Sequence, residues 1–217
     1  MTGINELKTM LADMVPYYVQ DRHDKSLFRV EKRRLYERCD PLIMKEEGEG
    51  ATLTKVNIIG FTQPSLALKP DHFGIRFFKG SRNKACDYLI LTTYKEKNYA
   101  IFVELKSSLN DDPGLNKGLL IIESKEDQRK EQQILGAFDL FEWLRFWVNK
   151  DYGHTDLDGV IVAKIILYAG VTPRSQMYSK IRPVDGNRRR SKDVYTFKVH
   201  DAETIELEVL INKALGV

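Results

Sequence analysis

Residues 85–106 read ACDYLILTTYKEKNYAIFVELK, two apolar runs separated by the charged Lys95-Glu96-Lys97. Residues 85–93 and 99–106 are rich in aromatic and branched side chains and predict two β-strands joined by a tight turn. Side chains alternate along a strand, so Ile101, Val103 and Leu105 face one way while Phe102, Glu104 and Lys106 face the other. A carboxylate and an ammonium therefore project together. The preceding strand adds Asp87, near the start of an apolar run where a carboxylate has no packing purpose. Directly opposed residues of a hairpin have a constant sum of positions. A two-residue turn at Glu96-Lys97 places Asp87 opposite Lys106 and Leu89 opposite Glu104, which puts Asp87, Glu104 and Lys106 on one face. Other even-length turns preserve that face, whereas a three-residue loop without a bulge sends Asp87 to the far side.

Working outward, Ile4, Leu7, Met10, Leu11 and Met14 recur at helical spacing until Pro16. A second helix is expected over 24–39, ending before Pro41, with Phe28, Glu31, Leu35 and Leu42 on one face. Glu31 interrupts that apolar stripe. Residues 45–50 read as a charged loop, 52–61 and 73–78 as strands, and 63–71, with two prolines, as the link between them. Beyond the central hairpin, Asn110, Asp111, Asp112, Pro113 and Gly114 give 107–118 turn chemistry. A long helix is expected over 125–150 with Ser124 as N-cap. Strands at 159–169 and 193–199 flank an arginine-rich loop, and 202–215 fits helix or strand equally. This order predicts a single α/β domain over residues 1–217, with a central mixed β-sheet flanked by helices.

With 42% hydrophobic and 30% charged residues the chain has an ordinary globular balance, which excludes wholesale disorder. No apolar run reaches membrane-spanning length. Glu6, Lys8 and Asp13 deny the amino terminus the apolar core of a signal peptide, and Cys39 and Cys86 have no zinc-ligand spacing. A reducing, cytoplasmic setting is expected. The formal charge of +3 conceals three basic stripes, at 29–38, 76–84 and 174–192. Such stripes are either solvated faces or neutralise phosphates, the sequence-independent part of nucleic-acid affinity. His23, His72, His154 and His200 form no metal-ligand pattern, Trp143 and Trp147 four apart on a helix read as core packing, and no Walker-type phosphate loop is present.

The tripeptide Glu-x-Lys occurs at Glu6-Leu7-Lys8, Glu104-Leu105-Lys106 and Glu123-Ser124-Lys125. In a chain rich in Glu and Lys it arises by chance, so context decides. Only the middle copy closes an alternating strand beside a second acid. Asp87, followed 17 positions later by Glu104-Leu105-Lys106, resembles the signature of the PD-(D/E)XK nucleases, a superfamily that includes restriction, repair and phage-processing enzymes. The resemblance covers residues 31–133 and departs from the pattern at Cys86, where a proline often precedes the acid.

The resemblance implies a restriction-endonuclease-like core in which Asp87 and Glu104 bind metal, the Leu105 carbonyl is a further ligand, and Lys106 orients or helps deprotonate the attacking water. Many members also carry a glutamate on an early helix, for which Glu31 is the candidate with Glu37 in reserve. They carry a glutamine or lysine on the helix after the Glu-x-Lys strand as well. Gln133, in line with Ala137, Leu140 and Leu144, is preferred there over Gln132, which aligns with Gly136 and Asp139. Hard carboxylate oxygens independently suit Mg²⁺ or Mn²⁺.

The expected function is a Mg²⁺-dependent hydrolase of phosphodiester bonds, a DNA endonuclease, with nucleic acid as partner, no membrane and room for a homodimer. Arg174, Arg188, Arg189 and Arg190 are the candidate phosphate contacts. Two rivals stay open: a catalytically silent nuclease-fold module that binds nucleic acid or protein, and an RNA-directed nuclease. The plain alternative for Asp87, Glu104 and Lys106 is a structural ion pair on an exposed sheet face, worth little when solvated.

Overall fold

The computed structural model describes residues 2–14, 40–46, 51, 53–63, 65–70, 85–106, 125–169 and 194–216. Within them the chain runs α1 (Thr2–Met14), β1 (Leu42–Met44), β2 (Val56–Ile59), β3 (Leu66–Leu68), β4 (Tyr88–Tyr94), β5 (Lys97–Lys106), α2 (Lys125–Tyr152), β6 (Ile161–Tyr168), β7 (Val194–Lys198), β8 (Thr204–Glu206) and α3 (Leu207–Leu215). Five strands form a mixed sheet in the order β3-β4-β5-β6-β7. It is antiparallel from β3 to β5 and parallel from β5 to β7. Parallel neighbours require a crossover, and α2 supplies it between β5 and β6. The apolar run of β5 follows from its central place, since a strand covered on both faces gains from burying every side chain.

The alternation read in β5 separates two cores. Phe102 joins Leu89, Leu91, Ile134, Ala137, Phe141 and Leu144 under α1 and α2. Ile101, Val103 and Leu105 join Leu42, Val56, Ile58, Ile205 and Leu210 on the opposite face, which α3 and a second sheet cover. That second sheet corrects the expectation of one. Its strands β1, β2 and β8 are three or four residues long, too short to show a periodic pattern. In it β2 pairs in parallel with β8, Asn57 opposite Thr204.

Several boundaries differ from expectation for local reasons. The stretch 63–71 holds the edge strand β3 between its prolines, and β2 is shorter than 52–61. Leu42 lies in β1 and so shares no helical face with Phe28, Glu31 and Leu35. Residues 202–215 are strand and then helix, the switch falling at Glu206, which is still extended with φ −65° and ψ 139°. Trp143 and Trp147 pack against the core as a T-shaped pair 6.3 Å apart, as expected. The helix expected over 24–39 and the strand over 73–78 lie outside the described residues.

The hairpin turn is Lys95-Glu96, one position earlier than expected, because Lys97 is recruited to pair with Tyr94. Both turn residues have positive φ, 46° and 62°, the left-handed conformation that tight hairpins demand and that Asn-Gly normally supplies. Lys95 is held by Glu208 of α3 at 2.6 Å. The strain at Glu96 gives an expected outcome: Glu96→Gly should stabilise the fold by about 0.5–1 kcal/mol, since glycine adopts positive φ without a Cβ penalty. Urea denaturation reads it, and a loss of stability would show that the Glu96 side chain makes a compensating interaction.

Candidate active site at the end of the central hairpin

With the turn at Lys95-Glu96, Tyr88 lies opposite Val103. Extending the register by one residue sets Asp87 opposite Glu104, not opposite Lys106 as expected. The shift is two in the sum of positions, so parity survives along the ladder, and Asp87, just before it, acts on β5 at Glu104 and Leu105. Asp87 itself stands in a bend just before β4, not inside a strand. The ladder ends at Tyr88, leaving the Leu105 N–H without a main-chain acceptor from β4, and Asp87 Oδ2 accepts it at 2.7 Å. On the other side of β5 the Lys106 carbonyl accepts from the Ala169 N–H at 3.1 Å. Successive carbonyls of a strand point to opposite sides, so the Leu105 carbonyl is directed toward the Asp87 side.

Glu104 is completely buried, which removes the exposed ion pair as an account of this site. Lys106 Nζ is 2.5 Å from Glu104 Oε1, with the lysine side chain 24% exposed. Among the described residues neither Glu104 oxygen receives an aligned hydrogen bond. Burial is the main force pushing the Glu104 pKa up to about 8, the Asp87 carboxylate adds to it, and Lys106 with the Asp87 backbone opposes it only in part. For Lys106, burial works to lower the pKa, but the carboxylates of Glu104, Asp87 and Glu46 outweigh it and hold it above its usual value. Cys86 is buried behind the acids, its Sγ 3.2 Å from the Tyr88 carbonyl. Burial first, then Glu104 and Asp87, push this thiol well up, so it is an inert packing residue.

Gln133 lies on α2, half-buried and in line with the buried Ala137, Leu140 and Leu144, as its helical phase required. Phe138 and Phe141 cover Phe102, with ring centroids 5.9 and 6.0 Å away. Because α2 runs back against β5, two residues along the strand match about four along the helix, given about 3.3 and 1.5 Å per residue. Gln133 therefore falls between the levels of Glu104 and Lys106. The side chain of its alternative, Gln132, lies outside the described residues, as do Glu31, Glu37, Arg174, Arg188, Arg189, Arg190 and Glu123. Glu6 and Lys8 are on helix α1, where positions two apart diverge by about 200°. Glu46 belongs to the stretch expected as a charged loop, and a charged residue in a loop carries no pattern that reveals a neighbour 60 positions away.

The donors fit a hard divalent cation: two carboxylates side by side, one of them buried and short of donors, and a carbonyl directed to the same side. Among the described residues no three His, Cys, Asp or Glu side chains group as metal ligands. Comparison with family models, curated proteins and solved structures finds no match to this chain. No helix among the described residues is long and apolar enough to cross a membrane.

The raised Glu104 pKa has a definite sign in stability. Between the usual 4.5 and about 8 the native state keeps a proton that the unfolded chain has released. Stability therefore falls as pH rises through that window, and the loss is complete above it. Without metal, the urea midpoint of the protein should drop from pH 5 to pH 9, and Glu104→Gln should flatten the drop. Equal slopes for both proteins would mean that Glu104 is already charged at pH 5.

Proposed function

We propose that this chain is a metal-dependent nuclease, a DNA endonuclease with a PD-(D/E)XK-type, restriction-endonuclease-like core that acts in the cytoplasm. The observation that carries this reading is the buried Glu104 carboxylate, short of hydrogen bonds, beside Asp87 and in contact with Lys106. A buried charge of this kind costs stability unless it is compensated. A cation between the two acids would compensate it, which gives the arrangement a purpose that packing does not.

Asp87 and Glu104 would hold Mg²⁺ or Mn²⁺ together with the Leu105 carbonyl. When bound, such an ion supplies positive charge beside a phosphate oxygen and makes water more acidic. The chain's own residues do the rest. Lys106, partly exposed, presents an ammonium toward the position where negative charge develops at phosphorus, and it orients the attacking water. Gln133, half-buried on α2, is the candidate to position water or substrate from that helix, and Glu31 is the candidate for an added carboxylate.

The test is incubation of purified protein with closed circular DNA, linear DNA and RNA, each with Mg²⁺, Mn²⁺ or EDTA. Metal-dependent cutting of the circle is the expected result. Cutting of RNA alone would make it an RNA-directed nuclease, and binding without cutting under any condition would make it a silent module.

Substrate binding carries its own expected outcome. If Arg188, Arg189 and Arg190 neutralise phosphates, replacing all three with alanine should weaken binding to every duplex sequence about equally. The log–log salt slope should flatten by up to about one unit for each phosphate no longer neutralised. The measurement is affinity of metal-free protein for labelled duplex over a range of salt. An unchanged slope would make the loop a solvated surface and turn attention to Arg174 and residues 76–84.

A further inference from the structure

The last residues of the parallel strands form a row. Lys106 closes β5, Tyr168 closes β6 and Lys198 closes β7. Their register sets Lys106 beside Tyr168 and Tyr168 beside Lys198. Backbone bonds hold the row together at the strand ends: the Ala169 N–H donates to the Lys106 carbonyl at 3.1 Å and the Val199 N–H to the Tyr168 carbonyl at 2.8 Å. Side-chain alternation fixes the face. Ile166 and Val194 belong to the core under α1 and α2, whereas Leu167 and Val199 belong to the opposite core. Tyr168 and Lys198 are therefore on the same face as Lys106. Both are half-buried, so each keeps part of its surface in water at this edge of the sheet.

Charge is divided along this edge. The carboxylates of Asp87 and Glu104 lie on the central hairpin, while neither β6 nor β7 contains an acidic residue. Burial pushes the Tyr168 pKa up, so the phenol keeps its proton and can donate it in a hydrogen bond. The carboxyl ends of parallel strands are where open α/β sheets bind ligands. Neighbouring strands are about 4.8 Å apart, so the backbone of Lys198 stands roughly 10 Å from that of Lys106, and both lysine stems are long and flexible. Charge recurs every 3.4 Å or so of axis along each strand of a duplex, which brings a phosphate close to the one being cut within that reach. We propose that Lys198 and Tyr168 are substrate-binding residues: Lys198 neutralises a backbone phosphate beside the one being cut, and Tyr168 donates its hydroxyl to a phosphate oxygen of the same strand, between the two lysines. This inference rests on the nuclease reading above.

The test is the affinity of metal-free protein for a labelled DNA duplex over a range of salt, with Lys198→Ala, Lys198→Arg, Tyr168→Phe and Lys97→Ala beside wild type. Lys198→Ala should bind about three- to tenfold more weakly, and its log–log salt slope should flatten by about one unit. Lys198→Arg keeps the charge and should keep the slope, which separates loss of a phosphate contact from damage to β7. Tyr168→Phe keeps the ring and should weaken binding about two- to fivefold at an unchanged slope, because the hydroxyl carries no charge. Lys97 is exposed at the opposite end of β5, so Lys97→Ala removes the same charge far from the row and should leave the slope alone. A wild-type slope in Lys198→Ala, or an equal flattening in Lys97→Ala, overturns the role of Lys198, and wild-type affinity in Tyr168→Phe overturns that of the tyrosine. A wild-type protein that binds no duplex at any salt defeats the nuclease reading and the proposal together. Tight wild-type binding with an unaltered Lys198→Ala slope defeats the proposal alone.

Discussion

Lys106→Ala should abolish cleavage, with a loss of at least about 10²–10³ in kcat, the scale for removing one group that stabilises charge in a transition state. Metal binding should survive, because the ammonium is a competitor for Glu104 and not a ligand. Removing it also leaves Glu104 buried without its ion-pair partner, at a cost limited by protonation of the carboxyl, whose pKa burial already raises. Asp87 behaves differently. Asp87→Ala should lose both cleavage and metal binding, and it also removes the acceptor of the Leu105 N–H. Asp87→Asn keeps a side-chain oxygen for that N–H but not the charge, so it should fold normally and still fail to bind metal. Calorimetric Mn²⁺ titration beside a plasmid-cutting assay separates these cases. Full activity in the Lys106 variant would sink the assignment of the lysine.

Glu104→Gln should be inactive, while Glu123→Gln stays close to wild type. The two residues open equivalent tripeptides in sequence, and only their surroundings differ. Glu104 is wholly buried beside Asp87, so its amide form keeps the volume and removes the buried charge, and it should not bind Mn²⁺. The protein should therefore become more stable at alkaline pH as it becomes inactive. A variant that was simply misfolded would lose both. Activity assays and urea denaturation at pH 9 on the same preparations check the pair. Loss of activity on replacing Glu123, with Glu104→Gln active, would move the site to the segment before α2.

Much of this site is legible in the sequence because its signals are local. The alternation of β5 is visible in consecutive residues, and it assigns Phe102, Glu104 and Lys106 to one face, where the structure has them. The phase of α2 places Gln133 with Ala137, Leu140 and Leu144 for the same reason, since 3.6-residue periodicity needs no distant partner. The turn lies one position from its expected place because neither Lys95 nor Glu96 is a residue that advertises positive φ. That shift changes which side chains are opposed and leaves the two faces of the β4–β5 ladder intact, as a period of two allows.

By itself, then, the sequence determined the mixed α/β pattern, the central hairpin, the long helix and the convergence of Asp87, Glu104 and Lys106. All of these follow from backbone periodicity within a few turns or strands. Only the tertiary structure decided that Glu104 is closed off from water and that a second sheet joins β2 to β8 across about 150 positions. Burial and charge coupling depend on which elements cover one another, and three-residue strands with a lone charged loop leave no periodic trace of that choice. The same carboxylate would be an ordinary surface acid if the elements packed over its face of the main sheet did not enclose it, and its raised pKa follows first from that burial.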